Sequence, residues 1–184
     1  MANIQLLGVS GALRADSTNT KLLREAARLF GACDYVHADL RLPLYNGDAE
    51  TADGIPVAVA TLAAQIGAAD GILISTPEYN KGPPGVLKNA LDWVSRTEGN
   101  PWAGKPVAVM SAAAGRAGGE RAQLVLRGFM VPFQPRVLSG PEVHLADSGH
   151  QFDATGQLVS EQYTNTISRL MENLRAEISL TRGD

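Results

Sequence analysis

Gly71-Ile72-Leu73-Ile74-Ser75, then Thr76-Pro77-Glu78-Tyr79-Asn80-Lys81-Gly82-Pro83-Pro84-Gly85, then a helical pattern: this stretch decides the fold. The first five residues form a short, continuous apolar run, which fits a strand buried on both faces of a parallel sheet. The ten residues after it are dense in Pro, Gly and Asn and read as a rigid loop. A helix then starts near Pro84 and carries Val86, Leu87, Ala90, Leu91 and Val94 at helical spacing. Pro suits a first helical turn, because its missing N–H would be unpaired there anyway.

The same grammar repeats on either side. Ile4 to Val9 reads as a buried strand, Ser10 to Asn19 as a small-residue and polar loop, and Thr20 to Phe30 as a helix. Cys33 to Ala38 is a second strand, followed by a Pro-containing loop at Leu42 to Gly47 and a helix from Pro56 to Ile66. Downstream come a strand at Pro106 to Met110, a third loop at Ser111 to Gly119, and a helix at Glu120 to Met130. Arg136 to Leu138, together with Val143 to Leu145, supplies the fifth strand. Tyr163, Ile167, Leu170, Met171, Leu174 and Ile178 make the stripe of a closing amphipathic helix, with Ser179 to Asp184 as a polar tail. No repeat or long linker interrupts the chain, so residues 1–184 are expected to form one domain.

Alternating strands and helices predict an α/β architecture: a doubly wound five-stranded parallel sheet with helices on both faces. For so small a sheet the flavodoxin-like order 2-1-3-4-5 leads. Ligands of such sheets bind beyond the carboxyl ends of the strands, and the three unusual loops follow strands one, three and four.

Composition narrows the function. The 184 residues are 45% hydrophobic and 19% charged with a net charge of −3, enough to build a core but without the basic face of a nucleic-acid binder. Aromatic residues are only 5%, which argues against base-stacking platforms. Cys33 stands alone, so no intramolecular disulfide or Cys-rich metal knuckle is available. His37, His144 and His150 are scattered without ligand spacing, and no metal site is expected. Met1 to Leu7 lacks a basic leader, and Ile55 to Ser75 is broken by Pro56, Gln65 and Asp70, so a cytoplasmic protein without a membrane span is expected. Neither an NTPase phosphate loop nor Gly-x-Gly-x-x-Gly after the first strand is present, and Gly8-Val9-Ser10-Gly11-Ala12 misses the second Gly of a nucleophile elbow.

The first loop surrounds a helix N-terminus with Ser10, Arg14, Ser17, Thr18 and Asn19. Arg14 supplies charge and the others hydrogen bonds, a set that suits a terminal phosphate monoester. Simple capping of the helix by Ser17 or Asn19 is the competing and compatible reading. In the second loop Tyr79 offers a flat face beside rigid Pro77, Glu78 and Asn80. The third, Ser111-Ala112-Ala113-Ala114-Gly115-Arg116-Ala117-Gly118-Gly119, lets backbone approach a ring closely. Together they read as a phosphate pocket beside two walls for a planar heterocycle.

With these residues in view, the chain resembles the NADPH-dependent FMN reductase family, including its chromate and quinone reductase members. The resemblance runs from Ile4 to about Arg127. It is carried by Gly8-x-Ser10-Gly11-x-Leu13-Arg14-x-x-Ser17-x-Asn19 and by Pro77-Glu78-Tyr79-Asn80 with Pro84-Gly85-Val86-Leu87-Lys88-Asn89-Ala90-Leu91-Asp92-Trp93. Gly104-Lys105-Pro106 and Gly118-Gly119-x-Arg121-Ala122-Gln123 add to it. The resemblance implies a flavodoxin-like fold with non-covalent FMN. Ser10, Arg14, Ser17, Thr18 and Asn19 would hold its phosphate, Pro77, Glu78, Tyr79 and Asn80 would line its ring, and Ser111 with its loop would close the other edge. It also implies a homodimer or homotetramer contacting through the Leu87 to Trp93 helix.

The expected activity is FMN-dependent NAD(P)H oxidation, with NADPH or NADH as co-substrate. A small-molecule acceptor follows, whether quinone, free flavin, azo compound or chromate. No side chain need act as acid or base, and backbone N–H groups of Glu78 to Asn80 are expected to stabilise charge on the ring. Three alternatives stay open: an electron carrier without its own NAD(P)H site, a nucleotide hydrolase or transferase using Glu78, and a flavin-free interaction protein. Acceptor, nucleotide preference, assembly beyond a dimer and the role of Gly140 to Gln157 are not legible in the sequence.

Overall fold

A computed structural model describes residues 3–183. Met1 and Ala2, at the start of the segment read for a leader, and Asp184, at the end of the polar tail, lie outside the described residues. In chain order the elements are β1 (Gln5–Ser10), α1 (Thr18–Phe30), β2 (Asp34–His37), α2 (Gly47–Asp53), α3 (Val57–Ala68), β3 (Gly71–Thr76) and α4 (Gly85–Val94). They continue with β4 (Pro106–Ala112), α5 (Glu120–Met130), β5 (Arg136–Val137), β6 (Val143–Leu145) and α6 (Glu161–Arg182).

The strand order is β2-β1-β3-β4-β5, with β6 also on β4, and every pairing is parallel. The expected order 2-1-3-4-5 therefore stands, and the fold is flavodoxin-like. Its fifth strand comes in two pieces: β5 pairs with Pro106 and Val107, and β6 with Met110 to Ala112.

The two-residue period of the strands divides the core. Leu7, Val9, Ile72, Ile74, Val107 and Val109 face α3, α4 and α5. Leu6, Leu73, Ala108 and Met110 face α1 and α6. Each fully buried aliphatic side chain contributes about 1.5–3 kcal/mol, so these two layers supply the main driving force. Central β3 is buried along its whole length, which is why its sequence reads as an unbroken apolar run.

Two elements differ from expectation. The loop after β2 contains a helix, α2, with no buried residue. Residues 179–182 continue α6 rather than trailing as a tail. No helix among the described residues is long and apolar enough to cross a membrane.

Candidate functional site

Strand register sets the floor of the site. Ser10 lies opposite Ser75, and Thr76 opposite Ser111, so β1, β3 and β4 end side by side. Beyond these ends opens a cleft of about 1010 Å³, lined by all three loops. That places it at the switch point, where chain connections diverge to opposite faces.

The first loop begins with Gly11, whose N–H donates to the Ser75 carbonyl at 2.8 Å. A Cβ there would lie 3.0 Å from Pro77 Cδ and 3.1 Å from Pro84 Cγ, so a larger residue would push the first two loops apart by a few tenths of an ångström. Ser17 caps α1, its Oγ accepting from the Asn19 N–H at 3.2 Å. Thr18 Oγ1 donates to Ser148 Oγ at 3.1 Å. Arg14 is exposed on the cleft wall. Nearby, Lys21 meets Asp16 at 2.6 Å, and this hydrogen bond holds the Asp16 carboxyl below its usual range.

Asn19 is a buried clamp. Its Oδ1 accepts from Ser75 Oγ at 2.8 Å and from the Ala112 N–H at 3.0 Å, while Nδ2 donates to the Ala112 carbonyl at 2.9 Å. One side chain thus ties α1 to the ends of β3 and β4. Ser10 is also turned inward, with its Oγ 3.0 Å from Thr20 Oγ1.

In the second loop, Tyr79 and Gly82 exchange backbone hydrogen bonds at 2.9 and 3.1 Å around Asn80 and Lys81. Both central residues have positive φ, 50° and 70°, which defines a type I′ turn. The Tyr79 N–H is spent in that turn and is not available to a ligand. Tyr79 itself is 61% exposed on the cleft wall, and Asn80 stands at the turn's tip outside the lining residues. Glu78 reaches across to α5: its Oε2 accepts from the Arg121 and Ala122 N–H groups at 3.1 and 3.2 Å. A carboxylate at a helix N-terminus is stabilised by unpaired N–H groups and by the helix dipole.

The third loop closes against the segment 143–148. A Cβ on Gly118 would overlap the His144 carbonyl group, and one on Gly119 would lie 2.8 Å from Ser111 Cβ. Ser111 is buried; its Oγ donates to the Gly118 carbonyl at 2.6 Å and accepts from Gln123 Nε2 at 2.8 Å. Ser148 donates its N–H to the Ala113 carbonyl at 3.1 Å.

The structure therefore brings Arg14, Ser17, Thr18, Asn19, Pro77, Glu78 and Tyr79 to one cleft. Ser10 and Ser111 lie beneath it, with hydroxyls engaged inside the protein. Sequence reasoning missed Ser148, which joins the cleft through Thr18 and sits in a segment without periodic pattern. It also missed that Glu78 is a helix cap. The pairing of Pro-Glu with Gly-Gly-Glu-Arg-Ala some forty residues later was the available signal.

Chemically, the cleft offers a cation and hydroxyls at the start of α1, then a slot between a rigid turn and a nearly side-chain-free loop. Its one well-placed carboxylate is already committed to α5, so it suits binding better than nucleophilic attack.

A family model described as NADPH-dependent FMN reductase matches residues 4–150, beyond the Arg127 limit of the motifs and into the segment that carries Ser148. The chain is 41% identical over 183 residues to an NAD(P)H-dependent FMN reductase of Pseudomonas aeruginosa, covering 98% of both chains. It is 40% identical over 177 residues to a quinone reductase of Escherichia coli K12, covering 94% of this chain and 93% of that one. Among solved structures, it is similar to the flavoenzyme NAD(P)H:(acceptor) oxidoreductase FerB of Paracoccus denitrificans. That match has a TM-score of 0.86 and 31% identity, and covers 96% of this chain and 97% of that one.

Proposed function

The chain belongs to the NADPH-dependent FMN reductase family, and on that premise we propose how its cleft serves an FMN-dependent NAD(P)H oxidoreductase. The residues present fit the cofactor. About 1010 Å³ accommodates a flavin nucleotide with room for a second planar molecule, and at Gly118 and Gly119 the third loop packs so close that a Cβ has no place.

In this reading Arg14 neutralises the FMN phosphate and Ser17 donates its hydroxyl proton to it beside the N-terminus of α1, with Thr18 next to it tied to Ser148. Ser10 and Asn19 act one step back, holding the strand ends in register so that those donors converge. Pro77, Glu78, Tyr79 and Asn80 form the turn along one side of the ring. Ser111 fixes the third loop on the other side through the Gly118 carbonyl. When bound, FMN would supply the redox chemistry between NAD(P)H and an acceptor.

The acceptor we infer is a quinone, in keeping with quinone reductase relatives and with the exposed Tyr79 face on the slot. The same reading takes residues 1–184 as one reductase domain, cytoplasmic in view of its lone cysteine. It assembles as a homodimer or homotetramer, for which exposed Leu44, Val57 and Val131 and a groove of about 580 Å³ between α4 and α5 give apolar surface.

The observation that carries the reading is Arg14 beside a capped helix N-terminus, opening onto a slot with small-residue and tyrosine walls. Absorption spectroscopy followed by anaerobic mixing tests it. The purified protein, loaded with FMN and freed of excess, is expected to stay yellow and to bleach with NADPH alone. An electron carrier would stay yellow but bleach only after a separate reductase is added. A colourless protein would end the reading.

A further inference from the structure

Behind the first loop lies a second, smaller hollow of about 250 Å³, between that loop and the chain leaving β2. Its lining includes the buried hydroxyls of Ser10 and Thr20 and the arginines Arg14, Arg24 and Arg41. Arg14 also lines the main cleft, so the two spaces share a wall. Arg24 and Arg41 do not line the main cleft.

Positive charge predominates in this hollow, where three arginines face the single carboxylate of Asp39. Among the described residues, no carboxylate lies within salt-bridge distance of Arg14 or Arg24. Arg41 meets only Asp39, at 3.4 Å, with both side chains 67% exposed. Asp39 is the one carboxylate in the lining, and it also accepts the Arg41 N–H at 3.0 Å, an ordinary turn bond. The protein as a whole carries a charge of −3, so three guanidinium groups around one concavity run against its average. Partial desolvation and, secondly, the Arg24 guanidinium hold His37, on the same rim, below its usual pKa, while Asp39 opposes the shift. Guanidinium groups match phosphate geometry through paired donors.

We propose that this hollow, with Arg24 and Arg41 as its binding groups beside the Ser10–Thr20 hydroxyl pair and Arg14 as the wall it shares with the main cleft, is a second anion subsite that takes a phosphate dianion. It is separate from the FMN phosphate cradle on the other side of Arg14. Two sources carry that chemistry: the 2′-phosphate of NADPH, which would make the hollow a determinant of nucleotide preference, and free inorganic phosphate. The assignment of FMN to the main cleft is a separate matter, read from the flavin absorbance of the same samples.

The test uses FMN-loaded protein, parent and the Arg24→Gln/Arg41→Gln double variant, so that the cofactor blocks the first phosphate site. Inorganic phosphate is titrated calorimetrically at low ionic strength, and kcat/KM is measured with NADPH and with NADH. Loss of charged hydrogen bonds is expected to weaken the phosphate interaction about tenfold or more. If the 2′-phosphate is the source, the NADPH-to-NADH ratio falls about tenfold in the variant with NADH turnover unchanged. If free phosphate is the source, the ratio holds while the variant loses the saturable binding heat seen in the parent. The proposal is overturned if the ratio is unchanged and the parent shows no saturable heat. It is equally overturned if the ratio is unchanged and the heat survives in the variant. Since both arginines are exposed and outside the main cleft, the variant is expected to stay yellow.

Discussion

Arg14 and Glu78 are both charged and both on the cleft, yet the structure gives them opposite work. Arg14 has no carboxylate within ion-pair distance among the described residues, Asp16 being held by Lys21, so its charge is available to a ligand. Glu78 is spent on two α5 N–H groups. For Arg14→Ala, loss of charged hydrogen bonds worth about 1.5–3 kcal/mol is expected to weaken FMN retention tenfold or more, measured by flavin fluorescence during dilution. Unchanged retention would move the phosphate elsewhere. For Glu78→Gln, the amide oxygen still accepts both N–H groups, so only the charge–dipole part is lost, about 0.3–1 kcal/mol. Thermal unfolding should shift slightly and NADPH turnover should persist; complete loss of turnover would restore Glu78 as a chemical group. Residue types at the site were legible because hydroxyls at a helix start and a flanking arginine have few uses. Their directions were not: Ser10, Asn19 and Ser111 looked like ligand donors, and only the pleat and the neighbouring strand ends decide that their side chains turn inward.

At the scale of elements, sequence periodicity reports burial, and it fails where an element buries nothing. Helix α2 has no buried residue and is held by its Asn46 cap, whose Oδ1 accepts from the Asp48 N–H at 2.9 Å. Its Glu50 is bound by Arg96 at 3.0 Å and by the Tyr45 hydroxyl at 3.0 Å. No apolar stripe announces such a helix. The second loop shows the converse, a turn whose Pro and Gly content was plain but whose tightest residue was not. Lys81 occupies, at φ 70°, the turn position where glycine is preferred. A side chain in the left-handed region costs about 1–2 kcal/mol, so Lys81→Gly is expected to stabilise the protein by about 1 kcal/mol after the added chain entropy. For a domain of this size the melting temperature should rise by about 2–4 °C. No rise, or a fall, would mean that the 4.0 Å Lys81–Glu78 contact outweighs the strain.

For the molecule as a whole, the parallel sheet followed from alternation, because β3 is buried end to end and parallel neighbours need helical crossovers, and its order was the leading one for so small a sheet. The edge strand β2 is less protected, and it sets a limit on alkaline stability. Tyr35 on β2 lies over Gly8 of β1, where a Cβ would overlap its hydroxyl, and burial pushes its pKa up to about 12. In the unfolded chain the same phenol ionises near pH 10. Below pH 10 both states keep the proton, and this group makes stability independent of pH. Between pH 10 and about 12 the unfolded chain loses the proton first, so unfolding is favoured and stability falls as pH rises. Denaturant midpoints measured from pH 9 to 12 should therefore drop more steeply for the parent than for Tyr35→Phe, which has no proton to lose at that site. In parallel, the late phenolate absorbance in an alkaline titration of the four tyrosines should shrink in the variant by the share of Tyr35. Parent and variant with equal slopes would mean that the edge of the sheet opens before Tyr35 ionises, and that β2 is not fixed on Gly8 at high pH.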